Sequence, residues 1–168
     1  GVVNSIHTVL KANPVPVVIP IGASETFRGV VDLLKMKAII FDEESNGMAF
    51  HEEDIPADLV DTANEWRQNL VEKVAETDDS LLEKFFAGEE ITVAEMIPAI
   101  RKATIARNIV PVLCGTAFRN KGVQPLLDAI VDYLPSPLDI SDVVGSITDE
   151  QKEAGVEPPV RKADDDEP

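Results

Sequence analysis

Cysteine is nearly missing from this chain. Cys114 stands alone among 168 residues, which excludes an internal disulfide and argues against a metal site built on thiolates. Histidine is almost as scarce: His7 and His51 have no second His, Cys or carboxylate at a spacing that favours metal over an ordinary role. No apolar run approaches the 18 or so residues of a membrane span, and no basic region precedes an apolar stretch at the amino terminus, so the expected location is cytoplasmic. Positive charge is also short. With 15 Lys and Arg against 31 Asp and Glu, the net charge is −16, and the chain as a whole repels phosphate backbones and anionic membranes. Direct nucleic-acid binding is therefore not expected, whereas a partner with a basic face is compatible with this charge.

What is present suits a globular protein. Hydrophobic residues make up 44% and charged residues 27%, outside the range of disordered chains. A single domain of this length buries roughly 70% of its unfolded surface, enough for a real core in one domain or two small ones.

Along the chain the hydrophobic period changes several times. Val2, Val3, Ile6, Val9 and Leu10 predict a helix over 1–12, stopped by Asn13-Pro14. The run "PVPVVIPIGA" predicts a β segment at a sheet edge, because Pro14, Pro16 and Pro20 lack a ladder donor. "FRGVVDLL", "MKAIIFD" and "GMAFHEED" follow too closely for helical crossovers, so they predict antiparallel strands with a turn at Asn46-Gly47. Helical spacing then takes over. A helix is expected at 57–77, with Leu59, Ala63, Trp66, Leu70 and Val74 on one face, and another at 80–87 ending at Gly88. A third opens with Thr92 and Glu95, spaced as a capping box, and Pro98 is expected to distort it. "IVPVLC" predicts a strand buried on both faces, and Val123 to Leu134 a closing helix. Beyond Pro135 apolar density falls, and "GVEPPVRKADDDEP" is expected to be an exposed linker.

Two features offer function. The first is the turn "CGTAF" after the strand: ligands bind at the carboxyl ends of parallel strands, Gly115 permits close approach, and the amides of Thr116, Ala117 and Phe118 are candidate donors. No G-x-x-x-x-G-K-S/T phosphate loop occurs. "NKG" at 120–122 has Val123 where the guanine-selecting N-K-x-D element needs aspartate, so Asn120 and Lys121 are read as ordinary helix-approach residues. On pattern alone, a plain strand-to-helix connection without a ligand is the favoured account of the turn. The second feature is acidic. At about 100° per residue, Asp58, Asp61, Glu65, Glu72, Glu76 and, if the helical frame continues, Asp79 share a sector about 60° wide without Lys or Arg. Like charges at i,i+4 repel, so this face is either a docking surface for a basic partner or simply solvated.

The strings "IVPVLCGTAFRNKGVQPLLDAIVDYLPSPLDI", "PIGASETFRGVVDLLKMKAIIFDEE" and "HEEDIPADLVDTANEWRQNLVEKVAETDDSLLEKFFAGEE" closely resemble bacterial translation elongation factor G, over essentially the whole chain. The resemblance implies the G prime subdomain, which in that family is inserted into the GTPase domain between the fourth and fifth nucleotide motifs, together with the flanking end of that domain. "GTAF" matches the fifth motif, so Thr116, Ala117 and Phe118 would lie on the guanine side. The phosphate loop, the switches and N-K-x-D would lie upstream of Gly1 and further domains beyond Pro168, making the chain a fragment. GTP or GDP, with Mg held by residues outside this chain, would bind the intact parent only. The resemblance also implies contact with the ribosome through the stalk protein's carboxyl-terminal domain, for which Glu72, Glu76 and Asp79 are the first candidates and Glu65 and Asp61 the second.

The expected fold is α/β: a small, mostly antiparallel sheet packed with helices, plus a remnant of a P-loop GTPase domain. The expected divisions are a remnant helix at 1–13, the inserted subdomain at 14–106, the strand and helix with the fifth motif at 107–134, and a linker at 135–168. Strand 109–114 should lean on the inserted sheet or offer an open edge. The parent is expected to be a ribosome-dependent GTPase that drives translocation of transfer and messenger RNA, the fragment itself inactive. The alternative is an isolated protein-binding or spacer module without nucleotide chemistry.

Overall fold

The computed structural model describes residues 1–45, 47–139 and 143–161. They form two compact units, Gly1–Leu134 and Pro135–Pro168, and the larger carries the α/β core.

Helix α1 (Val2–Leu10) ends at Lys11, whose φ of 53° is left-handed. The proline-rich segment that follows divides in two. Strand β1 (Pro14–Pro16) pairs in parallel with β6 (Val110–Val112), in the register Pro14↔Val110 and Pro16↔Val112. Strand β2 (Val18–Ile21) instead opens a four-stranded antiparallel sheet with β3 (Gly29–Asp32), β4 (Lys37–Phe41) and β5 (Phe50–Glu53), in the order β2-β3-β4-β5. Pro20 thus sits on an edge strand, where its missing donor costs no ladder bond. The three strands expected from 27–54 are β3, β4 and β5; Asn46 of the expected turn lies outside the described residues.

Three helices cover the sheet. Helix α2 (Val60–Ala75) buries Ala63, Leu70 and Val74 from the expected stripe, while Trp66 and Leu59 are half-buried against the core. Helix α3 (Asp79–Ala87) is capped by Asp78, which accepts from the Ser80 amide, and ends at Gly88 with φ 71°, a left-handed terminus suited to glycine. Helix α4 (Val93–Ile105) runs unbroken through Pro98, contrary to the expected distortion. Pro98 is exposed while Met96, Ala99, Ile100 and Ala103 are buried, so the packed face holds the helix and the carbonyl left without a donor can turn to water. Helix α5 (Val123–Tyr133) completes the unit. One apolar cluster joins Val30, Val31 and Phe41 of the sheet to Leu70, Val74, Met96 and Ile100 of the helices.

Strand β6 is not buried on both faces: Val110 is exposed, and Pro111 and Val112 are half-buried. Its sheet holds only β1 among the described residues, while Ile109 and Leu113 at its two ends pack on the core shared with the antiparallel sheet. With a single neighbour, a strand of continuous apolar residues leaves one edge and part of its faces open.

The smaller unit holds β7 (Val143–Val144) antiparallel to β8 (Val160–Arg161), and a five-residue helix α6 (Asp149–Glu153) whose Thr148 cap accepts from the Gln151 amide. Residues 144–161 are almost all exposed. The segment read as a linker thus carries short hydrogen-bonded structure, and 162–168 lie outside the described residues.

Candidate functional site

The turn after β6 is built by two glycines and one short backbone ladder. Thr116 and Lys121 form an isolated antiparallel bridge: the Thr116 amide donates to the Lys121 carbonyl at 2.8 Å and the Lys121 amide returns to the Thr116 carbonyl at 3.2 Å. Between them Ala117–Arg119 make one 3-10 turn, closed by Asn120 in the left-handed region at φ 51°. A Cβ on Gly115 would lie 2.7 Å from the Lys121 carbonyl oxygen, so only glycine lets the two arms approach.

This geometry sorts the three candidate donors. Thr116 is removed from that role, since its amide is spent inside the turn. The amides of Ala117 and Phe118 head the 3-10 turn without a backbone partner among the described residues. Both residues are exposed, Phe118 completely, which leaves two adjacent N–H groups available to an external acceptor. Cys114 beside them is half-buried, and burial pushes its thiol up to about 11. It is therefore a neutral wall residue at ordinary pH, without a nucleophile's character.

The acidic face differs from the ideal projection in two respects. Helix α2 stops at Ala75, and Asp79 is the first residue of α3, so the helical frame does not carry on to it. Asp79 belongs to a second helix start, separated by the turn at Glu76 to Asp78. Glu76 is also not bare, since Lys73 lies 3.1 Å from it at i,i+3. Asp61, Glu65 and Glu72 remain exposed on α2 with no cation within salt-bridge distance among the described residues. The turn and the acidic face lie on different elements.

Two basic residues carry a structural weight that the sequence did not reveal. Arg67 donates from Nη1 to the carbonyls of Leu33 at 2.8 Å and Leu34 at 3.1 Å, tying α2 to the β3–β4 connection. Lys121 is buried, contrary to its reading as an ordinary helix-approach residue. A lysine preceding a glycine carries no hydrophobic period, so nothing in the pattern marks it as interior. Among the described residues no group of three or more His, Cys, Asp or Glu side chains could hold a metal ion, and no helix is long and apolar enough to cross a membrane.

The chain is similar to a Thermus thermophilus protein of known crystal structure, with 27% sequence identity and a TM-score of 0.70. The match covers 83% of this chain and 21% of that one, so this chain spans about a fifth of that protein's length. No family model matches the chain.

Proposed function

We propose that this chain is the inserted subdomain and guanine-side end of a translational GTPase of the elongation factor G type, which moves transfer and messenger RNA through the ribosome. The observation that carries the reading is the turn at the end of β6: two free amides, at Ala117 and Phe118, follow a glycine that allows close approach. Neutral N–H donors suit a carbonyl oxygen such as that of guanine. The Lys121 ammonium of the turn is committed inward, to the Phe27 carbonyl and the Glu43 carboxylate.

In this reading the phosphate site and the Mg site belong to other parts of the parent, GTP and GDP bind only there, and the chain alone performs no chemistry. The partial match to a much longer protein is compatible with that division of labour. A second role rests on a separate observation. Asp61, Glu65 and Glu72 present exposed like charges on α2, which favours docking of a basic surface; the stalk protein's carboxyl-terminal domain is the proposed partner. Glu76 takes part while paired to Lys73, and Asp79 extends the surface from α3.

Titration calorimetry with GDP and GTP tests the first role. The chain alone should give no heat of binding, and the full-length protein that carries it should bind both nucleotides. Micromolar binding by the chain alone, or none by the full-length protein, would overturn the assignment.

A further inference from the structure

Lys121 is the one polar or charged residue that is buried among the described residues, at 3% exposure. Taking an ammonium out of water costs roughly several kcal/mol unless partners replace its hydration, so its partners indicate what the site is for. Nζ donates to the carbonyl of Phe27 at 3.3 Å and to the Glu43 carboxylate at 3.0 Å. Phe27 precedes β3 and Glu43 follows β4, so both acceptors lie in segments that flank strands of the antiparallel sheet, 94 and 78 residues away in sequence. A single side chain thus reaches from the turn after β6 into a different sheet.

The same two regions meet at two further points. A Cβ added to Gly47 would lie 2.6 Å from the Arg119 carbonyl oxygen and 3.0 Å from the Asn120 carbonyl carbon, so the loop between β4 and β5 sits flush on the turn. Gln124 then donates from Nε2 to the Met48 carbonyl at 3.3 Å. Ala117, Phe118, Arg119 and Asn120 are all exposed. The turn therefore has little packing of its own where its free amides lie, and its shape is set by what holds its base.

We propose that Lys121 is the positioning residue of the 115–122 turn, locking it to the loop between β4 and β5 so that the inserted sheet fixes the aim of the Ala117 and Phe118 amides. In the bound nucleotide state, which rests on the reading given under Proposed function, this makes the sheet a determinant of guanine affinity without touching the ligand. The pair is asymmetric: Glu43 is 79% exposed and Lys121 4% at the side chain. The hydrogen bond and charge of the Lys121 ammonium hold the Glu43 carboxyl below its ordinary range. Because Glu43 is exposed, replacing Lys121 by an apolar side chain of similar length leaves that carboxylate in water and not as a buried unpaired charge, while removing the directional contact. Lys121→Met therefore separates positioning from folding.

Hydrogen–deuterium exchange of the chain, read peptide by peptide, is the test. In Lys121→Met, the hydrogen-bonded amides of Thr116, Arg119, Asn120 and Lys121 should exchange about tenfold faster while those of α2 and α4 are unchanged, the signature of a local opening. Glu43→Gln should move the same amides in the same direction by a smaller factor. A folded Lys121→Met chain with unchanged exchange in the turn would overturn the proposal; if that variant fails to fold, unchanged exchange in Glu43→Gln overturns it instead. In the full-length protein, Lys121→Met should raise the Kd for GDP about tenfold with kcat at saturating GTP unaltered. Unaltered affinity there would refute the link to the ligand. Absence of any nucleotide binding by the unsubstituted full-length protein would sink the functional assignment, while the exchange data still decide whether Lys121 positions the turn.

Discussion

The guanidinium of Arg67 donates to the carbonyl of Leu33 at 2.8 Å, and the same nitrogen reaches the next carbonyl, of Leu34, at 3.1 Å. Leu33 is fully buried and Leu34 nearly so. These carbonyls lie in the β3–β4 connection, where the Asp32 carboxylate already accepts from the Leu34 amide at 2.8 Å, and Arg67 completes the hydrogen bonding from the helix side. Arg67→Met should therefore leave acceptors without donors and destabilise the chain by about 1–3 kcal/mol. A urea titration followed by Trp66, the single tryptophan, measures this, and an unchanged midpoint would refute it.

Two carboxylates link the helices that follow. Ser80 and Lys102 hold the Asp78 carboxyl down to about 2, and Lys84 with the Thr92 amide and hydroxyl does the same for Glu95. Both folded values lie below the ordinary range near 4, so their stabilisation is present above about pH 4 and is lost as pH falls toward 2. Asp78→Asn and Glu95→Gln should each lower stability at about pH 7 and flatten its decline between about pH 4 and 2. Parallel acid curves for variant and wild type would contradict this.

Tyr133 is the only tyrosine, and it is 6% exposed. Burial, with the charges of Asp32 and Asp132 adding to it, pushes the phenol up to about 12. A raised folded value means that the contribution is complete below about pH 10, the unfolded value, and disappears as pH climbs toward 12. Phenolate absorbance should thus appear near pH 12, or together with unfolding, and Tyr133→Phe should be less sensitive to alkali. A simple titration centred at about pH 10 in the folded chain would disprove the burial of this hydroxyl.

For the acidic face, Glu72→Lys combined with Asp61→Lys should weaken binding of the stalk protein's carboxyl-terminal domain and reduce its salt dependence. Glu76→Lys alone should have a weaker effect, since Lys73 already partly neutralises that carboxylate. Affinities that do not change in calorimetry at low salt would exclude this surface.

Leu70 gives a check on the core. It is 2% exposed within the cluster that joins α2 to the sheet, so Leu70→Ala should cost about 2–5 kcal/mol. A loss well under about 1 kcal/mol in the same urea titration would mean that α2 is not seated as described.

Local signals in the sequence were reliable where one residue's own chemistry decides the outcome. Gly88 ends α3 in the left-handed region, Thr92 and Glu95 mark the start of α4, and the β-rich runs "GVVD" and "KAIIF" specify strands. Pro98 misled because its intrinsic penalty was outweighed by packing from Met96, Ile100 and Ala103. The projected acidic sector failed at Asp79 because Asp78 caps a new helix there, a competing local hydrogen bond that an ideal helical projection ignores. At the turn, Gly115 was visible in advance, but the loss of the Thr116 amide to Lys121 was not, since that bond depends on how the two arms fold back.

By itself the sequence determined the types and order of most elements in the larger unit, the antiparallel hairpins and the apolar faces that become the core, because these follow from side-chain period and turn chemistry over a few residues. Only the tertiary structure decided that the proline-rich segment divides between two sheets, that Val110 keeps an exposed face, and that Lys121 is buried with its ammonium on the Phe27 carbonyl and the exposed Glu43 carboxylate. Those outcomes depend on contacts between residues far apart in the chain, 94 and 78 positions in the case of Lys121, and no local pattern encodes which distant carbonyl will meet a buried ammonium.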